Sequence, residues 1–321
     1  MQMRVFGRLK WQVSEVGYGL WGMGGWTGSD DAESIAALER AIGSGCTFFD
    51  TALAYGNGKS EQLLGRALAN HRDRPLTIAT KVPPKNLQWP ARPHYTLDEV
   101  YPADHMRRST EASLENLGVS SIDLQQFHVW TDNWAADDRW QRAAADLKRE
   151  GLVKGIGISL NRWEPTNGIK ALRTGVVDSV QVVYNVFDQN PEDELFPVCR
   201  ELGIAVIARV PLDEGSLTGA MTRGMTWPQG DWRNIYFTPD KLAEILDHVD
   251  RLRPDIPEGM TMPELALRFI LANRDVSTII PGMRKREHVD QNLGVSDGQP
   301  LAPAVMQRLS RHRWVRGYDV P

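Results

Sequence analysis

Residues 46–81, CTFFDTALAYGNGKSEQLLGRALANHRDRPLTIATK, contain the unit from which the whole chain is built. An apolar run, CTFFD, ends on Asp50. A turn-rich segment leads into an amphipathic stretch predicted to be helical over 60–71, and a second apolar run, PLTIATK, ends on Lys81. Short β-rich runs bounded by turn residues read as strands, and a strand that returns parallel to its predecessor needs a crossover of about this length. The unit recurs in both directions. Upstream, VGYGLWG precedes a predicted helix over 31–44. Downstream, LTIATKV precedes 103–117, IDLQQFHV precedes 136–150, VKGIGIS precedes 163–173 and VVDSVQVVY precedes 191–202. IAVIARV and VSTIIPG complete the set, with helices predicted over 239–253, 263–272 and 287–293.

Eight strand-helix units with no change of composition between them imply a parallel sheet, and the architecture expected is a (β/α)8 TIM barrel, a single domain over 1–321. Glycines end several helices, as in GSG before Cys46, LG before Val119 and EG before Leu152, because glycine accepts the left-handed conformation that closes a helix. Residues 1–14 alternate around a Gly7-Arg8 turn, which predicts an N-terminal β-hairpin capping one end of the barrel. Two loops, 83–102 and 212–238, are too long to be plain connectors. Both follow strands, at the C-terminal mouth where barrel enzymes bind substrate, and are expected to act as lid or cofactor clasp.

Bulk properties narrow the function. Of 321 residues, 41% are hydrophobic and 24% charged, ordinary globular usage, and a formal net charge of −4 gives no support to nucleic-acid or acidic-membrane partners. Cys46 and Cys199 are the only cysteines and lack CxxC spacing, so neither a disulfide framework nor a metal site is expected. No apolar run approaches the roughly 18 residues of a membrane span, and a cytoplasmic protein is expected. Residues 17–22, GYGLWG, match the dinucleotide G-x-G-x-x-G pattern letter for letter. A Rossmann fingerprint opens its helix at once, whereas MGGWTGSDD intervenes here, so these glycines are read as shaping a tight mouth loop.

Asp50, Tyr55, Lys81 and His128 each lie at or just past the end of a strand-like run. Alone, each has an ordinary explanation: a helix cap, a turn aromatic, a solvated strand end, a satisfied barrel histidine. Together at three consecutive strand ends they converge on one mouth. A tyrosine of ordinary pKa near 10 is a poor proton donor at neutral pH. A neighbouring lysine stabilises the phenolate, an aspartate holds the lysine charged, and a neutral histidine orients a substrate oxygen.

With these residues in view the chain resembles the aldo-keto reductases. The resemblance runs through FFDTALAYGNGKSEQLLGRAL, Lys81, IDLQQFH, GLVKGIGIS, VQVVYN, PLDEGSLTG and IIPGMRKREHVDQN. It is closest to the bacterial members whose last motif reads I-P-G, of the general stress protein or aldehyde reductase kind. The resemblance implies NADPH-dependent reduction of an aldehyde or ketone, with Tyr55 as general acid, Lys81 as its pKa modifier, Asp50 as the lysine's partner and His128 as the orienting donor. It implies that Ser159 and Gln181 hold the nicotinamide carboxamide, and that Pro211, Leu212, Glu214, Gly215 and Leu217 fold over the pyrophosphate. Gly282, Arg284, His288, Gln291 and Asn292 take the adenosine-phosphate and adenine positions, and Trp21 and Arg233 join the cofactor set. An arginine at a helix N-terminus suits a 2′-phosphate, so NADPH is preferred to NADH.

The chain also departs from that pattern. Arg209 stands where many members stack an aromatic ring on the nicotinamide; a planar guanidinium can stack there too, so Arg209 joins the expected cofactor set, its charge altering cofactor affinity. Leu160 replaces the usual asparagine after Ser159, with Asn161 one position later, and Ala220 replaces a lysine whose charge Arg223 or Arg233 is placed to supply. Trp21, Trp89, Trp130 and Trp232 fall in loops expected to face the mouth and form a substrate pocket for an aromatic or apolar small-molecule carbonyl. Two other readings remain at this stage. One is a cofactor-sensing regulatory subunit similar to the potassium-channel β subunits, against which His128 argues because those proteins carry asparagine there. The other is an alcohol or sugar dehydrogenase running in the oxidative direction. Oligomeric state is open.

Overall fold

The structure, a computed structural model, describes residues 1–26 and 28–316. Two antiparallel strands, β1 (Met3–Phe6) and β2 (Trp11–Ser14), form the expected hairpin around Gly7–Leu9. Eight parallel strands follow: β3 (Tyr18–Gly19), β4 (Phe48–Asp50), β5 (Thr77–Val82), β6 (Ile122–Phe127), β7 (Val153–Ser159), β8 (Ser179–Val183), β9 (Ala205–Arg209) and β10 (Val276–Ile279). Each pairs with its predecessor in sequence, and the parallel bridges Val16 to Ile279 and Gly19 to Gly282 join the first strand to the last. The sheet therefore closes, and with helices on its outside the architecture is a (β/α)8 barrel.

Closure explains the hairpin. A barrel of eight strands has an interior that side chains must fill, and here Phe6 and Val13 supply the filling at the end where the strands begin. They pack with Phe48, Ala79, Leu124, Ala205 and Ile207 in one buried cluster, Phe6 stacking on Phe48 at 5.4 Å. Each buried phenylalanine contributes roughly 1.5–3 kcal/mol. The bottom of the barrel is a hydrophobic plug and the top is free for chemistry.

Strand register sets that top layer. Gly19 pairs with Asp50, Lys81 with Gln126, Ser159 with Gln181, and Val183 with Arg209, so polar residues far apart in sequence reach the same level. Helices Asp31–Gly43, Lys59–Leu68 and Ala103–Leu117 fall close to expectation. The helix expected over 163–173 shrinks to Ile169–Arg173, because Trp163 sits at φ 61° and Pro165 and Gly168 keep the preceding segment in turns. That expected over 191–202 splits into a short 3-10 turn, Asn190–Glu192, and Leu195–Leu202. The long loops carry structure of their own. Leu97–Val100, closed by a Thr96–Glu99 capping box, lies in the first, and Asp213–Thr218 and Arg233–Tyr236 lie in the second. A further helix, Pro303–Leu309, follows the barrel. Among the described residues no helix is long and apolar enough to cross a membrane.

Candidate active site

Lys81 projects from β5 into the closed barrel and is fully buried. A buried ammonium is costly unless its N–H groups are answered. Here three acceptors meet it: Asp50 Oδ1 at 2.5 Å, the Thr51 carbonyl at 2.7 Å and the Tyr55 hydroxyl at 3.3 Å. Asp50 Oδ2 in turn accepts from Gln126 Nε2 at 3.0 Å and Gln181 Nε2 at 2.8 Å. The second hydrogen of Gln181 goes to Gln126 Oε1 at 3.2 Å, so Oε1 is the atom Gln181 has left to offer the cleft it lines.

Tyr55 lies in the loop after β4, which is pinned from behind. A Cβ on Gly56, whose φ is 64°, would stand 2.4 Å from the Gly24 carbonyl, so only glycine permits the two loops to touch there. Ser60 bonds Thr51 Oγ1 and the Leu20 carbonyl, and buried Glu61 accepts from Thr80 and Asn116. The S-E pair of the sequence motif is thus the anchor of the tyrosine loop. Tyr55 meets His128 edge-on, centroids 5.5 Å apart, and Trp89 meets the same imidazole at 4.5 Å.

The electrostatics follow from burial. Desolvation raises the Tyr55 pKa above its ordinary value and outweighs the opposing pull of Lys81, so the phenol holds its proton across neutral pH. For Lys81, desolvation opposes the charge but Asp50 and Tyr55 more than compensate, and the ammonium persists. Burial, reinforced by Lys81 and Arg209, holds His128 well below its ordinary value and therefore neutral. Its Nδ1 is buried without a hydrogen-bond partner.

A cleft of about 490 Å³ opens above these groups. Asp50, Tyr55 and His128 line it, with Trp21, Gln181, Arg209, Pro211, Leu212, Glu214, Gly215, Gly282, Arg284 and His288 of the sequence-derived set. Arg162 and Thr218 also line it and were not anticipated. Gln126 was missed too, although two consecutive glutamines in a strand buried on both faces were a usable signal, since alternation forces one of them inward. Nothing in LNRWEP singles out Arg162. Other expected residues lie outside the lining: Ser159 is buried at the end of β7, Leu217 is packed in the core, Asn292 is buried, and Gln291 is exposed. Arg233 is bound to buried Asp231 at 2.6 Å, and Arg223 to Asp247 and Asp250, so each already serves a carboxylate of its own.

The tryptophans divide. Trp89 touches His128, and Trp21 and Trp232 pack together at 4.9 Å, joined by Trp26, which was not anticipated. Trp130 does not face the mouth. Its Nε1 donates to Asp132 at 3.0 Å, and its ring is wholly buried among Phe127, Trp134 and Trp140, an aromatic cluster beneath the loop.

The chain is similar to known proteins over nearly its whole length. The model of the Aldo/keto reductase family matches residues 15–313. The NADH-specific methylglyoxal reductase of Escherichia coli K12 is 28% identical over 301 residues, covering 88% of this chain and 89% of that protein. The aldo-keto reductase str7 of Strobilurus tenacellus is 30% identical over 305 residues, covering 88% and 84%. Among solved structures, the holo form of aldo-keto reductase AKR11C1 from Bacillus halodurans superposes with a TM-score of 0.79 at 25% identity, covering 99% of this chain and 98% of that one.

Proposed function

Because the chain belongs to the aldo/keto reductase family, we propose that it is an NADPH-dependent oxidoreductase that reduces an aldehyde or ketone to an alcohol, with Tyr55 as the proton donor. The observation that carries this reading is the contact of Tyr55 Oη with buried Lys81, itself held by Asp50, beside a neutral His128. When bound, the reduced nicotinamide supplies the hydride to the carbonyl carbon. Tyr55 gives its proton to the carbonyl oxygen as that oxygen gains electrons. The phenolate left behind is stabilised by the Lys81 ammonium 3.3 Å away, and Asp50 keeps that ammonium charged and in place. His128, neutral, offers one N–H to orient the same oxygen.

The residues present suit a dinucleotide phosphate. Gly282 is exposed at the cleft with no atom nearer than 4.0 Å to the place a Cβ would occupy, which leaves room for a ligand against the backbone. The helix Arg286–Gly294 begins just beyond, without a side-chain cap on its first N–H groups, and Arg284, Lys285 and Arg286 surround that end. Free amide groups and arginine together favour a phosphate, and this supports NADPH over NADH. The NADH specificity of the E. coli relative makes the choice a measurement to perform.

The test follows oxidation of NADPH, and separately NADH, against a panel of aldehydes. Turnover with NADPH, lost in Tyr55→Phe while the cofactor still binds, supports the reading. Unimpaired turnover in Tyr55→Phe overturns the mechanism, and a lower KM for NADH than for NADPH overturns the cofactor assignment.

A further inference from the structure

Resting on the reductase reading above, we propose that the loop 83–102 is a fixed wall of the substrate pocket and not a lid. Asn161 is the positioning residue that sets this wall, holding Trp89 beside His128 so that carbonyls borne on a flat aromatic ring are selected.

The tether is a pair of hydrogen bonds between residues 70 apart in the chain. Asn161 Oδ1 accepts from the Ala91 N–H at 3.2 Å, and Asn161 Nδ2 donates to the Ala91 carbonyl at 3.0 Å. The second hydrogen of Nδ2 goes to Glu164 Oε2 at 2.9 Å. With both amide hydrogens spent, Asn161 does not take the place of the asparagine that Leu160 replaces. One step further along the chain, it serves the opposite loop. Asn161 and Ala91 are both buried, where a polar group that loses its partner is costly. A side chain that answers both backbone groups of one residue fixes that residue in place.

The position gives the tether a function. Ala91 follows Trp89 by two residues, and Asn161 follows Ser159 by two. Strand β6 pairs with β5 on one side and β7 on the other, so a tie from the loop after β5 to the loop after β7 crosses the end of β6, where His128 stands. The Trp89 ring meets the His128 imidazole at 4.5 Å and stays 42% exposed, open to a ligand. The rest of the loop is held as firmly. Tyr101 Oη donates to the Val129 carbonyl and accepts from the Val129 N–H, both at 3.0 Å. Asn133 Nδ2 donates to the Pro93 carbonyl at 2.9 Å, and Trp134 Nε1 to the Tyr95 carbonyl at 2.8 Å. A lid that opens in each turnover is drawn from weakly tied segments, and this loop is not one. Tyr101 grips the neighbour of His128 while Asn161 grips the residue two beyond Trp89, so ring and imidazole are set relative to each other before substrate arrives. A carbonyl oriented by His128 brings its substituent to Trp89. A flat ring packs on an indole already in place without first having to order it.

The experiment compares benzaldehyde with cyclohexanecarbaldehyde, equal in carbon count and different in flatness, with NADPH as reductant. The quantity read is the ratio of kcat/KM, aromatic over alicyclic, in each variant relative to the native protein, so that intrinsic reactivity cancels. Trp89→Leu should lower the ratio roughly 3- to 10-fold, mainly through the KM for benzaldehyde. Asn161→Ala should lower it by a similar factor, and the double variant no further than Trp89→Leu alone, because Asn161 acts through Trp89. If Asn161→Ala lowers both aldehydes alike, or if the two effects add, the proposal is overturned while the reductase reading stands. A second arm needs neither turnover nor a variant. In amide hydrogen exchange of the native protein, a peptide spanning 88–95 should be equally protected with and without NADP⁺. Fast exchange in the free protein that slows with NADP⁺ would make the loop a lid and overturn the wall. Absence of turnover on every carbonyl would sink the reductase reading and the selection with it, and the exchange arm would then decide the wall on its own.

Discussion

The two sides of the cleft hold their charges differently. On one side, Asp50 of β4, Lys81 of β5 and Gln126 of β6, joined by Gln181 reaching across from β8, form a closed network in which every N–H of the ammonium and both oxygens of the carboxylate are engaged. Such a network is rigid, and rigidity suits a proton donor that must meet one atom of any substrate. On the β9 side, the chain turns through Val210, Asp213 and Glu214, all at positive φ, and carries Arg209 with a donor unmade. Non-glycine residues in that conformation are strained and persist only when their surroundings hold them. On the proposed reading, proton donation belongs to the side where the network is complete and cofactor binding to the side where it is left open.

The hardest blow to this contrast is struck on the closed side. Tyr55→Phe and Lys81→Met should each lower kcat by roughly 10²–10⁴-fold, the span of general acid catalysis, with the cofactor still bound. The pH profile sharpens the claim. A phenol whose pKa is raised stays protonated below that value, so reduction should be level through neutral pH and fall only in the alkaline range. Lys81 pulls the tyrosine down, so in Lys81→Met the residual activity should lose its alkaline limb to still higher pH. A limb that moved downward would show that Lys81 does not act on Tyr55.

On the open side the strained turn is held by Arg162 on Glu214 and, most deeply, by Arg316 on Asp213. Arg316 is bound to Asp213 at 2.7 Å and lies 3.4 Å from Asp188, with its side chain 1% exposed. Burial raises the Asp188 pKa to about 6 in spite of Arg316. Removing one partner from a buried cluster of this kind costs about 3–5 kcal/mol, since the remaining carboxylates lose their counter-charge. Arg316→Met should therefore lower Tm and raise the Kd for NADPH, with a smaller effect on kcat. A large fall in kcat with Kd unchanged would break the division of labour between the two sides.

The same contrast governs what the sequence reveals. Asp50, Lys81 and His128 were legible because barrel strands end at one mouth, so a polar residue closing an apolar run is a positional signal. Arg209 also closes a strand, β9, but it stood out in the sequence as a departure from the family pattern. Gln126 was hidden in mid-strand, and whether Asp50 needed a second and third donor could not be read without the register that sets Lys81 beside Gln126. Trp130 misled because sequence gives the loop but not its path: Asp132 captures the indole and turns it inward. The helix over 163–173 was overestimated where a single residue, Trp163, takes a left-handed conformation that no periodicity betrays.

Gln126 yields the next prediction. Gln126→Met keeps the volume but deprives Asp50 Oδ2 of one of its two amide donors and Gln181 of an acceptor. Each buried hydrogen bond of this kind is worth about 1–2 kcal/mol. The expected result is a kcat about tenfold lower, with a KM for aldehyde close to native, because the residue touches Asp50 and not the substrate. A change confined to KM would mean that Gln126 meets the ligand directly.

The smallest effect expected lies at the rim. Trp21 packs on Trp26 at 4.7 Å and on Trp232 at 4.9 Å, and Trp26 Nε1 donates to the Trp21 carbonyl at 2.8 Å. Trp21 lines the cleft after β3, whereas Trp232 belongs to the loop after β9, so the three rings tie the closed side to the open one. Aromatic pairs of this geometry contribute about 0.5–1.5 kcal/mol each, and Trp26→Leu removes two of them while leaving Trp21 to Trp232 in place. If the rings hold the clasp shut over bound cofactor, the dissociation rate of NADPH should rise roughly three- to tenfold with the association rate little changed. Where product release limits turnover, kcat would then rise as well, the opposite sign to every substitution on the closed side. An unchanged dissociation rate in stopped-flow fluorescence would reduce the trio to surface packing, leaving the open side to its buried ion pairs, Arg162 with Glu214 and Arg316 with Asp213.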